Sequence, residues 1–214
     1  MLIWLLSDTH CKHKELTVPK NIDAIIHTGD FTTTQNIAEN YNEAVDFFKW
    51  LNGINVKHKL VVPGNHDTSW YNFMHDSNKY KNITVATAGV EWFDDISIAC
   101  LSHSPSFGYG WAYNADVDQM AQRCEAMFDD ADIIASHSPP RGILDETTQG
   151  RFGCPSLAKR VQEIKPKLHV FGHFHNERKY QNSAICARHG ITYVNASVVD
   201  IRHKVINNGK LIEI

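Results

Sequence analysis

Residues 2–10 read Leu-Ile-Trp-Leu-Leu-Ser-Asp-Thr-His. Five apolar side chains in succession, closed by a polar turn, describe a strand buried on both faces. The turn ends in an acid and an imidazole two residues apart. The same hand-over recurs four times. Ala24–Ile26 gives way to His27-Thr28-Gly29-Asp30, and Lys59–Val62 to Pro63-Gly64-Asn65-His66-Asp67. Ile133–Ala135 leads into Ser136-His137-Ser138-Pro139-Pro140, and Leu168–Phe171 into Gly172-His173-Phe174-His175. Apolar residues at helical spacing lie between these runs. Ile37, Tyr41, Ala44, Val45, Phe48 and Leu51 predict a helix near 36–52, and Val117, Met120, Ala121, Cys124, Met127 and Phe128 one near 116–129. Pro155 suits the first turn of a third, running to Ile164. Strands alternating with helices predict an α/β architecture.

The tail reads differently. Ala184–Ala187, Ile191–Asn195, Ser197–Ile201, Lys204–Ile206 and Leu211–Ile214 suggest strands of a meander, with Asn208-Gly209 as a hairpin turn. No repeat, low-complexity stretch or linker breaks the chain, so residues 1–214 read as a single domain.

Composition narrows the function. Lysine and arginine number 21 against 24 acids, a net charge of −3, and no long basic stripe is visible, so nucleic acid and anionic membranes are not the favoured partners. The apolar start is too short to span a membrane, lacks a basic flank and runs into Asp8, so it is expected to be a first strand rather than a leader. Cys11, Cys100, Cys124, Cys154 and Cys186 are odd in number, widely spaced and contain no C-x-x-C pair. That excludes a disulfide framework and suits a reducing, cytoplasmic compartment. Thirteen histidines are the outlier, and histidine is both metal ligand and proton carrier.

Loops at the carboxyl ends of strands form the ligand site of α/β sheets. Here they deliver Asp8, His10, Asp30, Asn65, His66, His137, His173 and His175. Residues two apart on a strand share a face, so Asp8 with His10, and His173 with His175, are each expected to converge from extended backbone. Mixed nitrogen and oxygen donors suit manganese, iron, zinc or nickel better than calcium or magnesium. So many ligands exceed one tetrahedral ion and suit two ions with a bridging carboxylate. His27 reads as a structural strand-end residue. His103 and Arg141 are candidate substrate contacts, and Phe107-Gly108-Tyr109-Gly110-Trp111 a stacking wall for a nucleobase. His13, His58, His75, His169, His189 and His203 default to structural or solvated roles, and Lys57-His58-Lys59 and Arg178-Lys179 to small solvated clusters.

Asp8-Thr9-His10, Gly29-Asp30, Gly64-Asn65-His66-Asp67, Ser136-His137 and Gly172-His173-Phe174-His175 stand in the order found in calcineurin-like metallophosphoesterases, and the chain resembles that superfamily over residues 8–175. His27-Thr28-Gly29-Asp30-Phe31, Pro139-Pro140 with Gly142, Lys165–Gly172 and Tyr193-Val194-Asn195-Ala196-Ser197 resemble its metallophosphoesterase-domain-containing branch.

The resemblance implies a sandwich of two mixed β-sheets flanked by α-helices. It implies two divalent transition-metal ions, manganese ahead of iron, zinc, nickel or cobalt. Asp8, His10 and His175 would hold the first, Asn65, His137 and His173 the second, and Asp30 both. His66 would face the phosphate and its leaving group, with Asp67 orienting it. Asn65, His66, His103, Trp111 and Arg141 are the candidate substrate contacts, the last three from the reading of the residues alone. Two such ions can share a hydroxide that attacks phosphorus, and general-acid help from His66 is worth about 10²–10⁴-fold. The expected activity is hydrolysis of small, even cyclic, nucleotide diesters. A nuclease of the same superfamily and a low-turnover nucleotide-binding regulator are the alternatives.

Overall fold

The computed structural model describes residues 1–69, 80, 82–108, 110–177 and 180–214. His75, Tyr109, Arg178 and Lys179, named above, lie outside the described residues.

The first sheet contains β1 (Leu2–Leu6), β2 (Ala24–His27), β3 (His58–Val61) and β4 (Thr84–Val85), all parallel. The second is built on β5 (Ala88–Phe93), β6 (Ile96–Leu101), β9 (Ile133–Ser136), β12 (Leu168–Phe171), β13 (Ile185–Arg188) and β14 (Ile191–Asn195). Its order is β13-β14-β12-β9-β6-β5, with the inner pairs parallel and the two edge pairs antiparallel. Two short pairs flank the sheets: β7 (Ser104–Pro105) with β8 (Asn114–Ala115), and β10 (Glu146–Thr147) with β11 (Gly150–Arg151). The last strand, β15 (Lys210–Glu213), runs antiparallel to β1.

Strand alternation divides the core. Ile3 and Leu5 of β1 face inward, where Ile26, Leu60, Ile98, Ile133, Val170 and Val194 from both sheets meet. Trp4 and Leu6 face outward and are covered by α1 (Ile37–Gly53) through Phe47, Phe48 and Leu51. On the far side, α2 (Val117–Glu125) and α3 (Pro155–Ile164) cover Leu101, Ile134, Phe171 and Tyr193. The architecture is the expected α/β sandwich of two mixed sheets between helices.

Caps explain where the helices start. Asn36 Oδ1 accepts from the N–H groups of Ala38 and Glu39, Asp116 and Gln119 form a capping box, and Cys154 caps α3 ahead of Pro155. The buried face of α1 is the expected one through Ala44, Phe48 and Leu51, but it is broader and starts later. Ile37 is 57% exposed, whereas Asn40 and Phe47 are buried. The second helix stops at Glu125, short of the expected Asp129.

The tail is not a meander. β13 and β14 form an antiparallel pair, but β14 then joins β12 in parallel, and β15 crosses to the first sheet. The expected strands 197–201 and 204–206 reduce to isolated bridges, Ser7 with Ser197, Asn176 with Asp200 and Val199 with Val205. Asn208-Gly209 does not close a hairpin. Gly209 has φ +78° and packs so tightly on β1 that a Cβ there would meet the Leu5 carbonyl oxygen at 2.7 Å.

A candidate dinuclear metal centre

All five loops at the carboxyl ends of β1, β2, β3, β9 and β12 open at one end of the sandwich. The two sheets are stitched together there. Ser7 N–H donates to Ala196 O at 3.0 Å, and Val198 N–H donates back to Ser7 O at 3.1 Å. The parallel strands therefore bring their polar endings to one place.

The loop after β2 organises the site. His137 Nδ1–H donates to Thr28 O at 2.7 Å, His10 Nδ1–H to Thr32 O at 3.0 Å, and His66 Nδ1–H to Thr33 O at 3.0 Å. A carbonyl only accepts, so each bond fixes the tautomer and leaves Nε2 free to act. His10 Nε2 and His137 Nε2 stand 4.0 and 3.5 Å from the same atom, Asp30 Oδ2. His10 Nε2 and His175 Nε2 are 3.3 Å apart, and His175 Nε2 is 3.4 Å from Asp8 Oδ1. Asn65 Oδ1 lies 2.9 Å from His137 Nε2. Donor atoms of Asp30, His137 and His173 lie within 4.8 Å of one another, as do those of His10, Asp30 and His66. Asp8, His10, Asp30, Asn65, His137, His173 and His175 are thus gathered around Asp30.

The backbone does not reach this arrangement by strand geometry. Asp8, His10, Asp30 and His173 have φ of +54°, +40°, +57° and +69°. The expected extended pairs are instead tight left-handed turns, an uncommon conformation for these residues that concentrates at functional sites.

Electrostatics tests the fit to metal. Asp8 and Asp30 are buried carboxylates. Burial alone would raise them, but the His175 and His137 imidazoles outweigh it and hold both low. Burial would lower His137, yet Asp30 draws it up to about 9, and Asp8 likewise raises His175. The cluster therefore calls for positive charge. Burial pushes His10 and His173 down to about 3, keeping them in the neutral form that ligates. Carboxylate, amide and neutral imidazole donors around one shared carboxylate fit a pair of divalent transition metals.

Other expected residues separate. Asp67 does not touch the His66 ring. Its carboxylate accepts from the N–H groups of Asp30 (2.9 Å), Thr32 (3.1 Å) and Gly64 (2.7 Å), and from Thr32 Oγ1 (2.9 Å). It locks the β2 loop to the β3 loop, while the Thr33 carbonyl orients His66. Trp111 reaches the site, its ring 4.5 Å from His66, and Ala112 N–H ties its loop to Asn65 O. Phe107 lies 5.2 Å from His173 and lines a cleft of about 500 Å³ with Phe152, Phe174, Thr148 and Gln149. His103 packs on Tyr113 outside the cluster, and Arg141 is exposed, its backbone N–H bonded to Cys154 O. His27 is structural in its bonds, with Thr9 Oγ1 at 3.1 Å and Gly29 N–H on its Nδ1.

Two residues escaped the sequence reading. Asn40, on α1, donates to Thr32 Oγ1, Thr34 O and His66 O, and accepts from Ser69 N–H and Oγ. Its signal is a polar residue at a buried position of the helix. His203 stacks on His10, centroids 4.0 Å apart and planes 3° from parallel.

The sequence profile of calcineurin-like phosphoesterases matches residues 1–177, and the chain belongs to that family. With its buried His and Asp cluster, it is a metal-dependent phosphoester hydrolase. It is 29% identical over 229 residues to metallophosphoesterase domain-containing protein 1 of Homo sapiens, covering 94% of this chain and 67% of that protein. A UPF0046 protein of Caenorhabditis elegans is 29% identical over 210 residues, covering 90% of this chain and 68% of that one. Among solved structures, phosphopantetheinyl hydrolase from Mycobacterium tuberculosis aligns with a TM-score of 0.62 at 13% identity, over 94% of this chain and 90% of that one. A Thermus thermophilus protein, TT1561, aligns at 0.64 and 12%, over 92% and 88%.

Proposed function

We propose that the chain hydrolyses phosphodiesters of small nucleotides, cyclic ones included, with two divalent ions. The observation that carries this reading is Asp30 Oδ2, placed between His10 Nε2 and His137 Nε2 at 4.0 and 3.5 Å. Asp8, His10 and His175 would hold one ion, Asn65, His137 and His173 the other, and Asp30 both. When bound, the ions supply Lewis-acid charge at the phosphoryl oxygens and lower the pKa of the attacking water.

The remaining work falls to the chain. His66 gives its Nδ1–H to Thr33 O, so Nε2 is the atom that faces substrate and carries the proton to the leaving oxygen. A diester leaving group needs that proton, because it departs as an alkoxide. Asp67 and Asn40 fix the loop that holds His66, leaving little freedom to misalign. Trp111 beside His66, and the aromatic cleft beside His173, offer flat apolar walls on either side for a base. Cys11, Cys100, Cys124, Cys154 and Cys186 are all free thiols, in keeping with a reducing cytoplasmic setting.

The test is hydrolysis by metal-stripped protein reloaded with Mn²⁺. Substrates are a nitrophenyl monoester, bis-nitrophenyl phosphate, 2′,3′- and 3′,5′-cyclic nucleotides and a short single-stranded oligonucleotide. Diester turnover should require metal and Asp30, and His66→Ala should lose about 10²–10⁴-fold on the cyclic nucleotides, whose leaving group is an alkoxide, and much less on bis-nitrophenyl phosphate. No turnover with any metal, despite confirmed occupancy, overturns the proposal. Preferential cleavage of the oligonucleotide would make the protein a nuclease.

A further inference from the structure

His203 lies 28 residues beyond His175, in a turn between β14 and β15 that is built to hold it. The Asp200 carboxylate accepts from the N–H groups of Arg202 (2.9 Å) and Lys204 (3.0 Å), and His203 N–H donates to Asp200 O at 2.9 Å. Ile201 N–H fastens the turn to Asn176 O at 3.2 Å, one residue past His175. His203 itself has φ +54°, a left-handed conformation that is unfavourable for a residue with a side chain. The turn carries that strain and places an imidazole on the mouth of the site.

The position is specific. The His203 ring is 4.0 Å from His10, 5.6 Å from His175 and 6.3 Å from His66. A ring nitrogen of His203 lies within 4.8 Å of donor nitrogens on both His10 and His175. Proximity alone would make it another metal ligand. The ring planes argue otherwise. A ligating imidazole keeps the ion in its own plane, along the lone pair, and the His10 and His203 planes are 3° from parallel. Parallel, stacked planes share no point, so one ion cannot lie in both. His203 therefore stands one layer off the plane in which His10 would meet an ion, beside the ligand cluster and outside it. His66 and His203 are the two imidazoles around His10 that belong to neither ligand set.

We propose that His203 is a substrate contact: its imidazole N–H donates to a non-bridging oxygen of the phosphoryl group. The proposal rests on the phosphoesterase reading and adds to it a residue from the tail, beyond the residues matched by the family profile.

Three substitutions separate the roles this ring could play. His203→Ala removes ring and donor, His203→Phe keeps the stack but loses the N–H, and His203→Gln keeps an N–H but loses the stack. Each is loaded with Mn²⁺ and assayed for metal content by mass spectrometry, for inorganic phosphate affinity by calorimetry, and for KM and kcat on bis-nitrophenyl phosphate. Losing a hydrogen bond to a charged oxygen predicts phosphate binding weaker by about ten- to one-hundred-fold in the Ala and Phe variants. The Gln variant should recover part of it, and all three should keep wild-type metal content. Wild-type phosphate affinity in the Phe variant overturns the proposal in favour of a stacking role, and lost metal in the Ala and Phe variants overturns it in favour of a ligand. Variants that match an active wild type overturn this inference alone. A wild type that binds neither metal nor phosphate removes the underlying reading as well.

Discussion

Gly172→Ala is the most exacting probe of how the ligand loops fit together. Gly172 ends β12 where it passes β1, and a Cβ added there would sit 2.5 Å from Ser7 Cβ and press on Ser7 Oγ and Asp8 Oδ2. Carbon atoms in good contact lie about 3.5–4.0 Å apart, so the two loops must separate by about 1 Å. Neither side yields easily. Asp8 is buried and accepts His173 N–H at 3.1 and 3.0 Å on its two oxygens, while Gly172 N–H donates to His137 O at 3.0 Å. Overpacking of this kind costs about 1–3 kcal/mol, and at about 2–4 °C per kcal/mol for a chain of this size Tm falls by about 2–12 °C. Function suffers more, because a 1 Å misplacement of a reacting group costs about 10²-fold. The assay pairs thermal unfolding with Mn²⁺ content and the rate on bis-nitrophenyl phosphate. Gly53→Ala, on α1 with nothing within 4 Å of the added Cβ, is the control: it should leave Mn²⁺ content and rate unchanged and Tm no lower than wild type. A Gly172→Ala protein with wild-type metal content and rate would refute the view that Asp8 is held by this contact.

Asn40→Ala should destabilise the fold by about 3 kcal/mol, because it strands buried partners on the loops of Thr32, His66 and Ser69. Thermal unfolding checks this, and a loss under about 1 kcal/mol would demote Asn40 to an ordinary helix residue. His169 is buried, donates through Nε2 to Ser136 Oγ at 2.8 Å, and is pushed down to about 3 by burial. Its folded pKa lies below the unfolded value of about 6.5, so its contribution is complete above pH 6.5 and is lost as pH falls toward 3. Between pH 7 and 5 that amounts to about 2 kcal/mol, and denaturant unfolding of His169→Leu should show a correspondingly shallower acid loss.

Much of the site was legible because chemistry and topology coincide. Parallel strands all end on one side, so an acid or imidazole in the short loop after Leu6, Ile26, Val62, Ala135 or Phe171 opens there. What escaped depends on contacts that no local pattern encodes. His203 arrives through the Asp200 turn and one bond to Asn176, neither of which follows from sequence spacing. Asp67 looks from its neighbour like a partner for His66, yet its oxygens are taken up by backbone N–H groups from loops far apart in the chain. The tail shows the same boundary. The short runs of the tail were legible as the strands β13, β14 and β15 but not their partners, and β15 belongs to the other sheet.

The gathering of ligands from both sheets has a consequence for the life of the protein. His10 and His175 are 165 residues apart in sequence, and Asn65 and His137 are 72 apart. An ion held between such pairs would be a clasp across the seam of the sandwich, closing long loops that the unfolded chain cannot keep closed. Binding the folded state alone, it raises stability by mass action, so Tm should climb with free metal concentration. Chelation would open the clasp, and the protein should become easier prey for a protease at the moment it loses its chemistry.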